Sequence, residues 1–360
     1  MAGNVLDIDG SVLEGGGQIL RNAAALSCLL HQPIHVGQIR AGRDKPGLRP
    51  QHLMGLQVIC DICGGSLEGG EVQSCDITLT PGQIQMGSFL ADTKTAGSTC
   101  LLIQAALPCL FFAKGETELV LRGGTNADMA PPVDYFTWVF QPIASRFGVQ
   151  FECDIVRRGF FPKGGGEVRL KAFPVRHIQP ITLTEFGEVT KISGLSFVAG
   201  NLPIKIAHAM ARTSQNMIKR DYRNIPIEIQ AVQEPRERAN GPGTGIIIVA
   251  HTSTGCILAG SAIGKRGVPA EKVGENAAEE LLRNLSYKAC TDEHLQDQLI
   301  IFMALAKGKS SVSCGPITLH TQTAIHIAEK LTTAKFEVKQ LTRDNYIIEC
   351  DGIGLENKNL

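Results

Sequence analysis

The chain has 360 residues, of which 43% are hydrophobic, so it can bury a sizeable core, and no region has the composition of a disordered segment. Its formal net charge is zero, because 35 basic residues balance 35 acidic ones. That balance argues against a protein that coats long duplex nucleic acid. It is compatible with an enzyme that holds a nucleic acid terminus through a few local arginines. The length favours roughly two domains.

We expect neither a secretion signal nor a membrane span. The start of the chain lacks a basic stretch followed by an apolar one. The most apolar stretches, such as 105–113, fall far short of the roughly 20 residues that cross a bilayer. The 11 cysteines, an odd number in scattered apolar contexts, predict reduced thiols in cytosol or nucleus. Cys60 and Cys63 form a CxxC with no second pair at zinc spacing, which favours a buried helix end.

Helical and extended patterns alternate along the chain. The first predicted helix covers 17–30, where Ile19, Ala23, Leu26 and Leu30 recur with a period close to that of an α-helix. The further elements predicted outside the middle of the chain are a strand at 33–39, a helix at 99–112 that Pro108 kinks or shortens, a strand at 116–122, a helix at 321–331 and a strand at 336–340. Such units predict layered sheets covered by helices, an α/β fold.

Glycine-rich turns and a change of pattern indicate how these units are organised. Segments 14–18 (EGGGQ) and 163–167 (KGGGE) stand in related settings, which suggests an internal repeat. The stretch 182–287 has a pattern of its own, and we expect it to form an inserted second domain. Its predicted elements are strands at 192–197 and 227–232, helices at 206–220 and 271–285, and a hairpin at 245–258.

The usual nucleotide-binding motifs do not fit the sequence. Residues 308–310 (GKS) match the end of a P-loop, but Met303 stands where its first glycine belongs. No Rossmann GxGxxG opens a helix after a strand, and neither DG dipeptide has the lysine of a KxDG nucleotidyl-transfer motif. Residues 158–161 (RGFF) resemble the start of an RNP1 strand, yet Pro162 removes a donor that a central strand needs. A different nucleophile is needed if the protein adenylylates itself.

His320 is the candidate nucleophile. It lies where a predicted strand passes into the helix at 321–331, with Thr321 as the expected N-cap. The free N–H groups and positive potential of a helix N-terminus suit a phosphate and favour a neutral imidazole. A neutral ring can attack the α-phosphorus of ATP and hold AMP as a phosphoramidate. A structural histidine is the alternative at this stage, and His326 is expected on the helix surface.

Several segments resemble the RNA 3′-terminal phosphate cyclase family, in the order that this family has. Residues 158–168 read RGFFPKGGGEV and look like the family signature. Residues 9–21, DGSVLEGGGQILR, are similar to its N-terminal motif. The stretches 39–52 and 315–320 match as well, so the resemblance covers essentially the whole chain.

The resemblance implies both a fold and a reaction. A large domain, 1–181 with 288–360, contains three repeated α/β units, each resembling the C-terminal domain of a bacterial translation initiation factor. A smaller α/β domain, 182–287, is inserted before the last unit. In the implied reaction a histidine attacks ATP and releases pyrophosphate, and AMP passes to an RNA 3′-phosphate. The neighbouring 2′-hydroxyl then displaces AMP and leaves a 2′,3′-cyclic phosphate.

The resemblance also assigns roles to individual residues. His320 is implied to be the AMP acceptor, and Glu14 the ligand of a divalent cation, Mg²⁺ or Mn²⁺. RNA and phosphate binding falls to Arg21, Arg40, Arg43, Gln51 and His52. ATP binding falls to Gln104, Pro131, His294, Asp297 and Gln298. Some family members carry tyrosine at position 294, and histidine can stack on adenine as well.

Three of these assignments have plain alternatives when the family is set aside. Glu14 is equally a first-turn carboxylate that interacts with a helix dipole. Charge alone favours a solvated basic loop for 40–49, and Gln104 alone reads as a polar residue at a helix edge.

Two other functions are alternatives to the cyclase. A non-catalytic relative that serves ribosomal RNA maturation would keep the fold and lose the histidine. A carbon-metabolism transferase built on similar units would not explain a histidine at a helix mouth together with this arginine set. The implied partners are RNA 3′-phosphate ends and ATP, with no membrane, and either a monomer or a homodimer. Resemblance to animal cyclases favours the nucleoplasm, with the cytoplasm also open.

Overall fold

The computed structural model describes residues 4–360. Helices pack on small mixed sheets, so the predicted α/β fold class is confirmed. Within 4–360 no helix combines the length and the apolar character that crossing a membrane requires.

The helices are α1 (Gly17–Leu30), α2 (Pro50–Cys63), α3 (Thr99–Leu110), α4 (Val133–Tyr135), α5 (Gln141–Ala144), α6 (Lys205–Ile218), α7 (Ala270–Ser286), α8 (Leu295–Leu305) and α9 (Leu319–Leu331). A π-helical turn, Phe136–Phe140, joins α4 to α5, and short 3₁₀ turns cover Ser145–Phe147 and Arg236–Arg238. The strands are β1 (Leu6–Asp9), β2 (Ile34–Gly37), β3 (Ser66–Glu68), β4 (Ile77–Thr80), β5 (Ser88–Asp92), β6 (Thr117–Gly123), β7 (Gln150–Gly159), β8 (Gly166–Phe173), β9 (Thr182–Leu183), β10 (Val189–Ala199), β11 (Ile227–Gln233), β12 (Ala239–Asn240), β13 (Gly243–Thr252), β14 (Ile257–Ile263), β15 (Lys309–Cys314), β16 (Lys335–Gln340) and β17 (Tyr346–Asp351).

Three of the sheets repeat one topology. Their strand orders are β1-β2-β4-β3, then β5-β6-β8-β7 with β12 added at the β7 edge, then β9-β15-β17-β16. Leaving β12 aside, the first two strands of each sheet pair in parallel, and the last of its four strands in the chain lies antiparallel between two neighbours. The predicted internal repeat is therefore present as a repeat of strand order and direction. The two glycine-rich turns stand at different places in it, since 14–18 leads from β1 into α1 and 163–167 leads from β7 into β8.

A long stretch of chain separates the first two strands of the third sheet. Strand β9 pairs in parallel with β15, and between them the chain forms a further sheet of order β11-β10-β13-β14. Helices α6 and α7 contact each other and this sheet. We call the chain from β10 to α7 the inserted unit. The domain division at 182 and 287 stays a prediction, while the pairing of β9 places 182–183 in the third repeated sheet.

Helix α1 lies at the centre of the helical layer. It contacts α2, α3 and α9, and α9 also contacts α8. Its middle, Ala23 to Ala25, is fully buried, and such small side chains let neighbouring helices approach closely. Pro108 lies within α3, which continues to Leu110, and the helix is therefore two residues shorter than the sequence predicts.

The cysteines of the described chain form no disulfide. Cys60 and Cys63 are buried at the end of α2, as predicted for the CxxC. Burial, followed by the nearby Cys63 and Asp61, raises the pKa of Cys60 to about 12. Such a thiol stays protonated and unreactive at neutral pH.

Candidate active site

A cleft of about 610 Å³ separates the helices of the repeated units from the β14 and α7 side of the inserted unit. Its walls combine helix faces with the loop 127–132. The sequence-predicted residues that line this cleft are Arg21, Gln104, Pro131, His294, Asp297, Gln298 and His320. The chain therefore brings the proposed nucleophile and all of the proposed ATP-side residues to one concave surface.

The N-terminal turns of α1, α8 and α9 meet at one end of the cleft. Gln18 in α1 donates from Nε2 to Asp297 Oδ2 in α8 at 2.8 Å. The backbone N–H of Glu14, just before α1, donates to Thr323 Oγ1 in α9 at 3.2 Å. Because each helix N-terminus offers free N–H groups and a partial positive charge, their meeting point suits a phosphate.

His320 is exposed in the first turn of α9. The expectation that Thr321 caps this helix is wrong, since Thr318 is the N-cap and its Oγ1 accepts from the Thr321 N–H at 3.1 Å. Thr321 is buried and donates to Gln296 Oε1 at 2.8 Å. His320 thus lies inside the helix instead of before it. His326 is exposed further along α9, which confirms its predicted place on the helix surface.

Asp297 and Arg21 line the cleft together with His320, and Gln18 binds both of them. Arg21 donates to Gln18 Oε1, and Gln18 in turn holds Asp297. Burial lowers the pKa of Arg21, and the negative charges of Asp297 and Glu14 oppose that effect. Burial raises the pKa of Asp297, against the influence of His320, Arg21 and His294. The cleft therefore presents a held cation, Arg21, and the predicted nucleophile on one surface.

His294 forms an ion pair across the cleft with the inserted unit. Its Nε2 lies 3.3 Å from Glu280 Oε1 in α7, and the edge of its ring meets the ring of Tyr135 at a centroid distance of 5.9 Å. Burial alone lowers the pKa of His294, but the hydrogen bond and charge of Glu280, with Asp292 and Glu293, raise it to about 9. The imidazole is therefore protonated at neutral pH.

Replacing Glu280 with glutamine is expected to return the pKa of His294 from about 9 toward its ordinary value near 6.5, because the strongest opposing charge is lost. The stability that this pair contributes is full below about pH 6.5 and is lost as the pH rises through about 9. NMR titration of the His294 ring protons measures the shift. Glu279→Gln, on the same helix and exposed, is the control; equal midpoints in the two variants would contradict the assignment.

Glu280, Glu293 and His294 also place their ligand atoms within 4.8 Å of one another. In this structure each of the three already has an ionic partner, because Glu293 accepts from Arg283 and His294 pairs with Glu280. The charges of these three side chains are therefore already balanced by protein partners.

The glycine-rich turn before α1 makes room for Glu14 and His52. A side chain at Gly16 would collide with the Glu14 carboxylate, and one at Gly17 would come within 2.7 Å of His52 Nε2. The carboxylate is mostly buried, with a side-chain exposure of 13%. Its Oε1 accepts from Arg43, whereas its Oε2 is buried with no hydrogen-bond partner in the described chain.

The other predicted phosphate-binding residues form a group beside the cleft and do not line it. Arg43 donates to the Glu14 carbonyl oxygen at 2.8 Å. Arg40 has a positive φ of 55° and donates to the carbonyl oxygens of Lys45 and Gly47 at 2.7 and 2.9 Å. These two arginines therefore hold the loop and Glu14 in place in the structure.

Gln51 and His52 join this group to Arg21, since all three line a small neighbouring cavity. Gln51 Oε1 accepts from the Ser98 N–H at 3.0 Å. His52 Nδ1 accepts from the Arg49 N–H at 3.2 Å. Burial, and then the charges of Arg21, Arg40 and Arg49, lower the pKa of His52 to about 3. The ring is neutral, and its second nitrogen faces the first turn of α1.

Comparison with known proteins shows the family to which the chain belongs. The family model described as RNA 3′-terminal phosphate cyclase matches residues 12–338. The chain belongs to the RNA 3′-terminal phosphate cyclase family. This membership confirms the resemblance carried by the sequence motifs, and the matched range includes the cleft and every predicted site residue.

Individual relatives of the family align with nearly the whole chain. A Dictyostelium discoideum protein named "Probable RNA 3′-terminal phosphate cyclase" is 46% identical over 357 residues, which cover 96% of this chain and 82% of that protein. A Drosophila melanogaster protein named "RNA 3′-terminal phosphate cyclase" is 40% identical over 357 residues, 99% of each chain. A Pyrobaculum aerophilum protein of the same name is 38% identical over 347 residues, 96% of this chain and 98% of that one.

Sequence reasoning missed three residues that shape the cleft. Gln18 is the last residue of the EGGGQ segment, so the motif itself pointed to it, but its bond to Asp297 comes from the fold. Glu280 and Tyr135 contact His294 from separate parts of the chain. Neither has a local sequence signal, because only the fold brings α7 and α4 to His294, just before α8.

Proposed function

We propose that this chain is an ATP-dependent RNA 3′-terminal phosphate cyclase, a ligase that carries AMP on His320. The observation that supports this most directly is the cleft that His320, in the first turn of α9, lines together with Arg21 and Asp297. The names of the relatives support the RNA substrate. RNA 3′-phosphate ends and ATP are the proposed partners, and a nuclear location is part of the proposal on the sequence resemblance alone.

The reaction needs three substitutions at phosphorus. The unprotonated ring nitrogen of His320 attacks the α-phosphorus of ATP and forms an N–P bond as the P–O bond to pyrophosphate breaks, and the ring then releases the proton of its other nitrogen. An oxygen of the RNA 3′-phosphate next attacks the same phosphorus, which frees His320 and leaves an RNA–adenylate. The 2′-oxygen then attacks the 3′-phosphorus, loses its proton and expels AMP. This last step benefits from an effective molarity on the order of 10⁵ M or more.

The cleft residues divide these tasks according to their chemistry. Arg21 supplies a fixed positive charge for phosphate oxygens at the meeting point of the helix N-termini. Pro131 and His294 provide surfaces for the adenine ring, and Gln104 lines the same region. Gln298 is buried, and its Oε1 has no hydrogen-bond partner in the described chain, so it can accept from the adenine amino group.

A divalent cation, Mg²⁺ or Mn²⁺, is part of the proposal, and the residues present fit it. Glu14 offers a buried carboxylate oxygen, Oε2, with no partner in the described chain, and hard cations prefer such oxygens. A bound cation would neutralise phosphate charge. Arg43, which holds the other oxygen of Glu14, would keep the carboxylate oriented.

The test is direct conversion of defined RNA ends. With ATP, an oligoribonucleotide that ends in a 3′-phosphate is expected to become resistant to phosphatase without retaining AMP, because its terminal phosphate enters a 2′,3′-cyclic diester. The same oligonucleotide with a terminal 2′-deoxyribose is the control, and it is expected to stop at the adenylylated end because it lacks the attacking hydroxyl. Unchanged ends with both substrates would favour the non-catalytic alternative.

A further inference from the structure

The signature segment 158–168 has no role in the reaction described so far. Its two adjacent phenylalanines behave in opposite ways. Phe160 is buried and stacks on Phe197, with ring centroids 6.2 Å apart. Phe161 leaves 82% of its surface exposed. A large apolar ring presented to solvent beside a charged surface is a feature of binding sites.

The turn that carries Phe161 is held from several sides. The Gly164 N–H donates to the Phe160 carbonyl oxygen at 2.8 Å. Asn240 Nδ2 donates to the Gly164 carbonyl oxygen at 3.0 Å, and Arg157 Nε to that of Gly165 at 3.0 Å. Gly164 has a positive φ of 66°, and a side chain there would collide with the backbone of residue 95. The ring is therefore presented by an ordered turn.

This turn is continuous with the phosphate-binding side of the candidate active site. The loop 95–98, on which it packs, is tied to Gln51 through the Ser98 N–H at 3.0 Å. Gln51 lines one small cavity together with His52 and Arg21, and Arg21 also lines the main cleft. An RNA whose terminal phosphate lies at Arg21 can therefore extend along this surface toward Phe161.

The cations around the turn are free of carboxylate partners. In the described chain Arg157, Lys163 and Arg238 are exposed and form no ion pair. Arg157 and Arg238 donate only to neutral carbonyl oxygens, at 3.0 and 2.7 Å. Cationic groups that track the phosphates, next to an aromatic face that stacks a base, are the combination that binds single-stranded nucleic acid.

We propose that Phe161 is a stacking site for a base of the RNA upstream of its terminal nucleotide, with Arg157, Lys163 and Arg238 contacting the adjoining phosphates. The proposal rests on the proposed function for the identity of the ligand. A protein surface as the occupant is disfavoured, because a hydrophobic protein contact would not call for three uncompensated cations around a single exposed ring.

Binding of a fluorescent single-stranded oligoribonucleotide 3′-phosphate, followed by anisotropy, tests the site. Phe161→Ala is expected to raise the Kd about tenfold or more, because a base loses its stacking partner. Phe161→Trp is expected to keep wild-type affinity. Leu341→Ala, at another exposed apolar position (56% exposed), is the control and should leave the Kd unchanged.

An abasic scan locates the contact. Removing one particular base near the 3′ end is expected to weaken wild-type binding as much as Phe161→Ala does, and to have no further effect in that variant. Wild-type affinity and an unaltered abasic profile in Phe161→Ala would overturn the proposal. A change of sedimentation coefficient in that variant with unchanged RNA binding would also overturn it, in favour of self-association.

Two further readouts separate this proposal from the proposed function. Phe161→Ala should label itself with α-labelled ATP as the wild type does, because the ring is not part of the ATP cleft. If the wild type fails to label or to cyclise RNA, the cyclase proposal fails, while a weakened Kd in Phe161→Ala would still establish the RNA site.

Discussion

Replacing His320 with alanine is expected to abolish self-labelling by α-labelled ATP and to reduce RNA cyclisation by about 10⁴-fold or more, because the attacking nitrogen is lost and nothing else accepts AMP. His320 is exposed on α9, so its removal leaves no cavity and no buried partner without a bond. The folded structure should therefore survive. An unchanged unfolding transition, measured alongside the labelling, separates loss of the nucleophile from loss of the fold.

The chemistry of the label identifies the residue type. A phosphoramidate is expected to be lost in acid and to survive in alkali, unlike an acyl or ester adduct. His326→Ala is a matched control, since His326 is also exposed on α9 and does not line the cleft. It should label and cyclise like the wild type. Equal labelling of His320→Ala and His326→Ala would refute the assignment of His320.

The local parts of this site could be predicted from sequence. The helix at 17–30 agrees with α1 at both ends, because apolar periodicity and the glycines before it mark its start. The cap of α9 could not be decided, since Thr318 and Thr321 are both capping residue types. The choice comes from tertiary contacts: Thr321 is buried against Gln296, a residue of α8, and is not available at the helix boundary.

Contacts between the repeated units and the inserted unit could not be predicted at all. The pairing of His294 with Glu280 depends on the rotation of α7 about its own axis, which is fixed by packing against α6 and β14. Similarly, the family resemblance implies that Arg40 and Arg43 bind phosphate, but the sequence did not predict that their guanidinium groups also bind the loop and Glu14. The residue types and their order in the chain predict which chemical groups are present. The hydrogen-bond and ion-pair partners of those groups depend on how the elements pack.

Replacing Arg158 with methionine is expected to lower the free energy of unfolding by about 3–5 kcal/mol, because it leaves a buried carboxylate without its counter-charge. Arg158 is buried and binds both oxygens of Asp134, at 2.7 and 2.8 Å. It also donates to Glu234 of the inserted unit at 2.6 Å and lies over the Phe197 ring, 4.1 Å from its centroid. Burial lowers the pKa of Arg158, but Asp134 and Glu234 more than offset that and raise it.

An exposed arginine–carboxylate pair provides the matched comparison. Arg176 also reaches a carboxylate with two nitrogens, at 3.0 and 2.9 Å from Glu356 Oε1, but its side chain is 66% exposed. Arg176→Met is therefore expected to lower the free energy of unfolding by only about 0–1 kcal/mol. Urea titration of both variants measures the two losses. Equal losses for the two variants would contradict the role of burial.

The destabilisation should come from the unpaired carboxylate and not only from the missing guanidinium. Asp134→Asn combined with Arg158→Met is therefore expected to recover part of the loss, since the amide carries no charge that needs a partner. Because Arg158 links the second repeated unit to Glu234 across the junction, the single variant should also weaken ATP binding, and the double variant should restore it less than it restores stability. If the double variant recovers full stability but no ATP affinity, the loss of ATP binding is due to the missing link to Glu234 and not to the buried charge.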